Sequence, residues 1–171
     1  MKAIIASDLH GSAYYTQKLI DQIELLKPDK LILLGDILYH GPRNDLPRDY
    51  NPKLVAELLN EHKEYIISVH GNCDAEVDQM VLDFDITRST ICIPLKDFNL
   101  YLTHGHKNNP DNPLKVTKNS IVLFGHTHVP FDKYVGGTRY INPGSISIPK
   151  ENSAHSFIFF DGADFIYMSL D

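Results

Sequence analysis

The sequence predicts an α/β fold in which the first half alternates strand and helix and the second half is mostly β. Three observations carry this. Short apolar runs at 2–7, 30–34, 65–69 and 121–124 each give way to a loop rich in Gly, Asp, Asn and His, as strands buried on both faces do. Apolar residues at helical spacing separate the first three runs. Beyond residue 88 the period shortens, and Gly136-Gly137 and Asp161-Gly162 mark hairpins.

Taken in order, residues 2–7 form a first strand, followed by the loop Asp8-Leu9-His10-Gly11-Ser12. Tyr14, Leu19, Ile23 and Leu26 give 13–26 a helical stripe, which Pro28 ends. The second strand, 30–34, closes at Gly35-Asp36. Residues 41–52 hold Pro42, Pro47 and Pro52 and read as a long polar loop, a length often tied to function. Leu54, Val55, Leu58 and Leu59 place a helix over 53–62. A third strand at 65–69 leads to His70-Gly71-Asn72-Cys73-Asp74 and a short helix at 75–82. Residues 89–94 and 99–103 read as adjacent antiparallel strands, the second ending in Thr103-His104-Gly105-His106. A loop with a short helix is expected over 107–119. The strand 121–124 ends in Gly125-His126-Thr127-His128, and hairpins follow at 131–141 and 155–169, with Asn142-Pro143-Gly144-Ser145 as a turn between them. No repeat or linker divides the chain, so 1–171 is read as a single domain.

Composition bounds the function. The 171 residues are 43% hydrophobic and 22% charged, ordinary for a globular protein. No apolar run approaches a membrane span or a signal-peptide core, and the expected setting is cytoplasmic, with no membrane partner. The net charge of −6 argues against extended nucleic acid as a partner. Cys73 and Cys92 are expected as free thiols, with Cys92 in the core.

The chemistry gathers at the strand ends. Asp8, His10, Asp36, Asn72, His104, His126 and His128 each follow a β run, so all seven can collect along one edge of the sheet system. Carboxylate, amide and imidazole donors together suit Mn²⁺, Fe²⁺, Zn²⁺ or Ni²⁺ better than Mg²⁺ or Ca²⁺ alone. Asp8 and His10 stand two apart, as do His126 and His128, so each pair points one way on an extended segment. Seven ligands complete two four-coordinate sites only if one carboxylate bridges, and Asp36, alone in its loop, is the natural bridge. Two metals roughly 3.5–4 Å apart would hold a bridging hydroxide, a nucleophile at neutral pH. Two divalent cations less Asp8, Asp36 and hydroxide leave a positive field that matches a diester monoanion.

The segments Asp-Leu-His-Gly, Gly-Asp, Gly-Asn-Cys-Asp, Thr-His-Gly-His and Gly-His-Thr-His, in this order, resemble the calcineurin-like metallophosphoesterase superfamily. Gly41-Pro42-Arg43-Asn44, Asp78-Gln79-Met80 and Asn142-Pro143-Gly144-Ser145 are similar to its bacterial YfcE-type phosphodiesterases. The resemblance implies an αββα sandwich of two mixed sheets flanked by helices, with the metal site at the C-terminal ends of the strands. It implies Asp8, His10, Asp36 and His128 on one metal and Asp36, Asn72, His104 and His126 on the other, most often with Mn²⁺ supporting activity. It implies in-line hydrolysis of small phosphodiesters, and a homo-oligomer, dimer or tetramer. Cys73 stands where most of the superfamily has His. A thiol is a weak donor, which favours diesters over monoester dianions; Cys73→His tests that ratio.

Each residue also has a plainer reading. A lone His at a strand end is usually a hydrogen-bonding residue, and Asp8 or Asp36 alone would cap a turn. His106 is read as contacting phosphate or, preferably, orienting His104. Asp74 braces its loop or a ligand. His40, Arg43 and Asn44 are substrate-anion candidates, although Arg43 equally pairs with Asp45 or Asp49. His62, His70 and His155 are structural or solvated. Tyr14, Tyr15 and residues 157–160 belong to the core. Rival functions are a phosphomonoesterase or small nuclease on the same site, or a scaffold such as the retromer subunit that shares this fold.

Overall fold

The computed structural model describes residues 1–171. Its strands are β1 (Ala3–Ala6), β2 (Lys30–Leu33), β3 (Ile66–Ser68), β4 (Thr90–Pro94), β5 (Asn99–Thr103), β6 (Ser120–Leu123), β7 (Pro130–Val135), β8 (Thr138–Pro143), β9 (Ser156–Phe160) and β10 (Phe165–Ser169). Two α-helices, α1 (Ala13–Leu26) and α2 (Pro52–Asn60), lie between the first three strands. The strands form two five-stranded sheets, ordered β10-β9-β1-β2-β3 and β4-β5-β6-β8-β7. Strands β1, β2 and β3 are parallel, and β9 runs antiparallel beside β1. In the second sheet β6 pairs parallel with both β5 and β8. No helix is long and apolar enough to cross a membrane.

Alternation along β1 and β2 assembles the layers. Ile4, Ala6, Leu31 and Leu33 point to α1 and α2, meeting Leu19, Ile23, Val55 and Leu59. Ala3, Ile5, Ile32 and Leu34 point the other way, to Leu100, Leu102, Leu123 and Ile141 of the second sheet. Leu31 to Leu34 are all fully buried. Burying each such side chain contributes about 1.5–3 kcal/mol, so this run is held firmly from both faces.

The helices start where the chain supplies caps. Ser12 accepts from the Tyr15 amide at the head of α1, and Lys27 ends it in the left-handed region at φ 47°. Asn51 caps α2, with Pro52 at its first position.

The predicted sandwich of two mixed sheets flanked by helices is present. Both helices lie on the first sheet, and 107–119 contains no helix. That segment covers the outer face of the second sheet as irregular chain, setting Val116 against Val122, Phe124 and Tyr140. The short helix expected at 75–82 is a 3₁₀ turn, Glu76–Met80. Cys92 is exposed rather than in the core. It sits on the edge strand β4, where Ile91 and Ile93 turn inward and the residue between them must turn out. Tyr14 is only partly buried, under the Arg48 guanidinium at 3.5 Å. His155 is structural, stacked on Tyr15 and bonded to its hydroxyl at 2.9 Å.

Candidate metal centre

The loops after β1, β2, β3, β5 and β6 converge at one end of the sandwich. They are joined by backbone bonds that continue the sheet beyond its strands. His10 N–H donates to Asp36 O (2.9 Å), Gly11 N–H to Ile37 O (2.8 Å) and Gly125 N–H to His104 O (2.7 Å). The candidate ligands therefore ride on a connected frame.

Asp8, His10, Asp36, His126 and His128 all have left-handed backbones, with φ between 47° and 67°. The expectation that each His/Asp pair points one way along an extended segment is therefore wrong in its reason. The chain curls at each ligand instead. Such a conformation costs about 1–3 kcal/mol per residue and persists only where the surroundings impose it; Asp and His tolerate it better than most.

Three imidazoles are locked in one orientation. His10 Nδ1 donates to Tyr39 O at 2.8 Å, His104 Nδ1 to Leu34 O at 2.7 Å and His128 Nδ1 to Ile148 O at 2.8 Å. A carbonyl can only accept, so each ring carries its proton at Nδ1 and, when neutral, turns an Nε2 lone pair inward. These lone pairs meet the carboxylates. His128 Nε2 lies 3.3 Å from Asp8 Oδ1, and His10 Nε2 lies 3.6 Å from Asp8 Oδ1 and 3.7 Å from Asp36 Oδ2. His104 Nε2 is 3.4 Å from Asp36 Oδ2 and 3.0 Å from Asn72 Oδ1.

Asp36 sits between the two groups. Its Oδ1 accepts from the Cys73 amide at 2.7 Å, which leaves Oδ2 facing His10 and His104. Asp74 holds the loop beneath it, accepting from Asp36 N, Ile37 N and Gly71 N at 2.7–2.9 Å. Gly71 has no room for a side chain, because a Cβ there would stand 2.2 Å from Asp36 Oδ1. Asp8 Oδ2 accepts from Ser7 Oγ at 2.6 Å and His126 N at 2.9 Å, while its buried Oδ1 has no hydrogen-bond partner.

The donor set fits divalent cations. Groups of Asp8, His10 and His128, and of Asp8, Asp36 and His104, keep their ligand atoms within 4.8 Å of one another. The orphaned Asp8 oxygen and the inward Nε2 atoms are what a cation would satisfy. Electrostatics agree. Burial pushes Asp8 up, but the imidazoles of His10 and His128 facing it bring it well below the usual carboxylate range. Burial pulls His104 down, but Asp36 and Asp8 raise it to about 9.

The other candidates divide. His126 lies outside the tight groups, its ring 5.2 Å from that of His104, and lines the cleft. His106 does not orient His104, whose Nδ1 is taken by Leu34; its own Nδ1 is buried without a partner. Burial, His104, Lys107 and His126 together lower His106 to about 4, so it is neutral at pH 7. Burial and the Asp36, Asp74 and Asp8 carboxylates push the Cys73 thiol up to about 12. Arg43, Asn44 and Asp74 line the cleft, of about 790 Å³, and Arg43 pairs with neither Asp45 nor Asp49. His40 does not line it; the ring packs edge-on against Tyr39 and Tyr50.

Lys150, Thr127 and Tyr39 also line the cleft and carried no signal in sequence. The Asn-Pro-Gly-Ser segment does more than turn. Asn142 Nδ2 donates to Gly125 O and Thr127 Oγ1, and Ser145 and Ser147 both donate to Asp8 O, tying the Asp8 and His126 loops together.

Residues 1–164 match the family model described as the calcineurin-like phosphoesterase superfamily domain. The chain is 44% identical to phosphodiesterase YfcE of Escherichia coli K12 over 161 residues, 94% of this chain and 88% of that protein. The solved structure of E. coli YfcE superposes with a TM-score of 0.97 at 41% identity, covering 100% of this chain and 94% of that one. Zinc-complexed Vps29 of Entamoeba histolytica shares the fold alone, with a TM-score of 0.60 at 18% identity and full coverage of both chains.

Proposed function

This chain belongs to the calcineurin-like phosphoesterase superfamily, and on that premise we propose that it hydrolyses small phosphodiesters with the help of two divalent cations. Its class is that of a phosphoric diester hydrolase. The observation that carries the two-metal reading is the position of Asp36 Oδ2, 3.7 Å from His10 Nε2 on one side and 3.4 Å from His104 Nε2 on the other.

In this reading Asp8, His10, Asp36 and His128 hold one cation, and Asp36, Asn72, His104 and His126 the other. Mn²⁺ is the first ion to test, with Fe²⁺, Zn²⁺, Ni²⁺ and Mg²⁺ as comparisons. Cations held there would supply Lewis-acid charge at the phosphoryl oxygens and lower the pKa of water, the chemistry that in-line attack needs.

The protein's own part is positioning. Asp74 fixes the Asp36 loop through three amides, and the Asn142–Ser147 bonds fix the Asp8 loop. Both carboxylates are therefore preset, and little reorganisation remains for the reaction. Arg43 and Lys150 bring positive charge to the rim of the cleft of an otherwise acidic protein and orient the diester monoanion. Cys73 lines the cleft, and a thiol is a weak donor toward a leaving alkoxide. That supports diesters with good leaving groups over monoester dianions.

The test is a metal-reconstituted screen of aryl diesters, cyclic nucleotides, glycerophosphodiesters and dinucleotides, with Asp36→Ala as the blank. Turnover of diesters that requires added metal and disappears in Asp36→Ala is expected. A protein that binds less than two equivalents of Mn²⁺ and turns over no diester is a scaffold instead. We also read the protein as cytoplasmic and self-associating; sedimentation decides the second point.

A further inference from the structure

A second depression, of about 620 Å³, runs beside the metal cleft. It lies between α2 and the Glu76–Met80 turn, with Leu38, Tyr39, Tyr50, Ala56, Val77 and Val81 as its apolar wall. Tyr39 lines both depressions, so they meet across one side chain. The same two segments border them. Residues 41–44 and 72–75 flank the cleft, and the chain immediately before the first and after the second flanks the groove.

The groove is open, apolar and stiff. Tyr39, Val77 and Val81 are 41%, 62% and 50% exposed. Contiguous apolar surface left open on a folded chain usually marks a binding site. The ring of His40 packs edge-on at 4.7 Å from Tyr39 and 5.2 Å from Tyr50, which sets the aromatic wall in place. The groove's charges select further. Lys53 is outnumbered by Glu57 and Asp78, whereas the cleft has Arg43 and Lys150. The depression on the opposite side, reached past Thr127, carries Asp111 and Glu151 and no cationic residue. A second anionic group on the substrate therefore meets a net negative lining on either side of the cleft, while an apolar group meets an apolar wall on the Tyr39 side.

We propose that this groove receives one ester arm of the diester, and that the arm is uncharged and apolar, such as a phenyl or short alkyl group, lying against Tyr39 while the phosphoryl group occupies the cleft. The proposal rests on the phosphodiesterase reading and adds the substrate class. Small differences in apolar fit are worth roughly 10-fold or more in kcat/KM.

The experiment compares p-nitrophenyl phosphodiesters whose second arm is methyl, phenyl or 2-carboxyethyl. They are assayed on the Mn²⁺-loaded protein and on Val77→Asp and Val81→Asp, whose exposed side chains lie outside the metal cleft. The phenyl arm should exceed methyl by roughly 10-fold in kcat/KM, with the carboxylate arm slowest. Either substitution should erase the phenyl advantage and leave the methyl diester unchanged. Independently of turnover, the methyl resonances of Val77 and Val81 should shift on titration with diphenyl phosphate but not dimethyl phosphate. Equal loss on all three diesters, or no phenyl preference in the parent protein, overturns the proposal. So does a dimer that Val77→Asp dissociates without any arm preference, which would make the face a contact between copies. If the metal-loaded protein turns over no diester at all, the phosphodiesterase reading fails, and the methyl shifts alone then support or reject the groove.

Discussion

The imidazoles of His10 and His128 face each other with their Nε2 atoms 3.2 Å apart, while each Nδ1 is committed to a backbone carbonyl. Two neutral rings so arranged oppose lone pair to lone pair. A cation between or beside them relieves that repulsion, and Asp8 Oδ1 stands 3.3 Å from one of the two nitrogens to share it.

Removal of metal should therefore destabilise the fold as well as abolish turnover. A ligand at about a thousand times its Kd adds about 4 kcal/mol to stability. In a chain of this size that corresponds to a melting shift of roughly 8–16 °C. Thermal melts with Mn²⁺ and with excess EDTA measure it, and Asp36→Ala should lose most of the difference.

Loss of ligands should be asymmetric. Asp36 turns Oδ2 toward both His10 and His104, whereas the one carboxylate that His128 approaches is Asp8. Asp36→Ala should empty both sites and lower kcat/KM by at least ~10²-fold, whereas His128→Ala should cost about one equivalent of metal. Metal analysis after gel filtration separates the two cases; equal losses would remove Asp36 from its bridging position.

The pH dependence should change sign with metal. His104 in the metal-free protein is raised to about 9 from an ordinary value near 6.5. Its contribution to stability is complete below about pH 6.5 and is lost as pH rises through about 9. Asp8 and Asp36, both lowered, contribute above about pH 4 and lose that contribution as pH falls. Coordination needs neutral imidazole, so metal binding releases protons and tightens as pH rises. Between about pH 6 and pH 9 the EDTA-treated protein should lose stability while the gap to the Mn²⁺-loaded protein widens.

Asp74 should be a stability residue that also governs the site. Asp74→Ala leaves the buried amides of Asp36, Ile37 and Gly71 without their acceptor, at about 1–3 kcal/mol each before relaxation. Asp74→Asn retains one oxygen for part of that set and should cost less. Urea midpoints rank the two. Mn²⁺ affinity should fall in the same order, because the amides positioned by Asp74 include that of Asp36.

Much of this site was legible because its candidate ligands stand at conspicuous places in the chain. Asp36 follows Leu31 to Leu34, a run whose alternate residues serve two different cores, and a fully apolar run has few other readings. The Pro28 stop is a local signal too, and α1 ends at Leu26, two residues before it. Less was legible where long-range pairing decides. Nothing near Cys92 shows that its strand lies at an edge, and nothing near Lys150 shows that it meets a cleft whose loops reach back to His10.

By itself the sequence determined the strand-and-loop order, the donor types and the superfamily, because apolar periodicity and ligand chemistry are properties of neighbouring residues. Tertiary structure alone decided that β6 would insert between β5 and β8 and that β9 would return to β1. It alone decided that five candidate ligands would sit on left-handed backbone and that Asp74 and the Asn142–Ser147 segment would hold their loops there. Such strain is tolerated only when many distant contacts impose it together. Those contacts form only once the two sheets have packed.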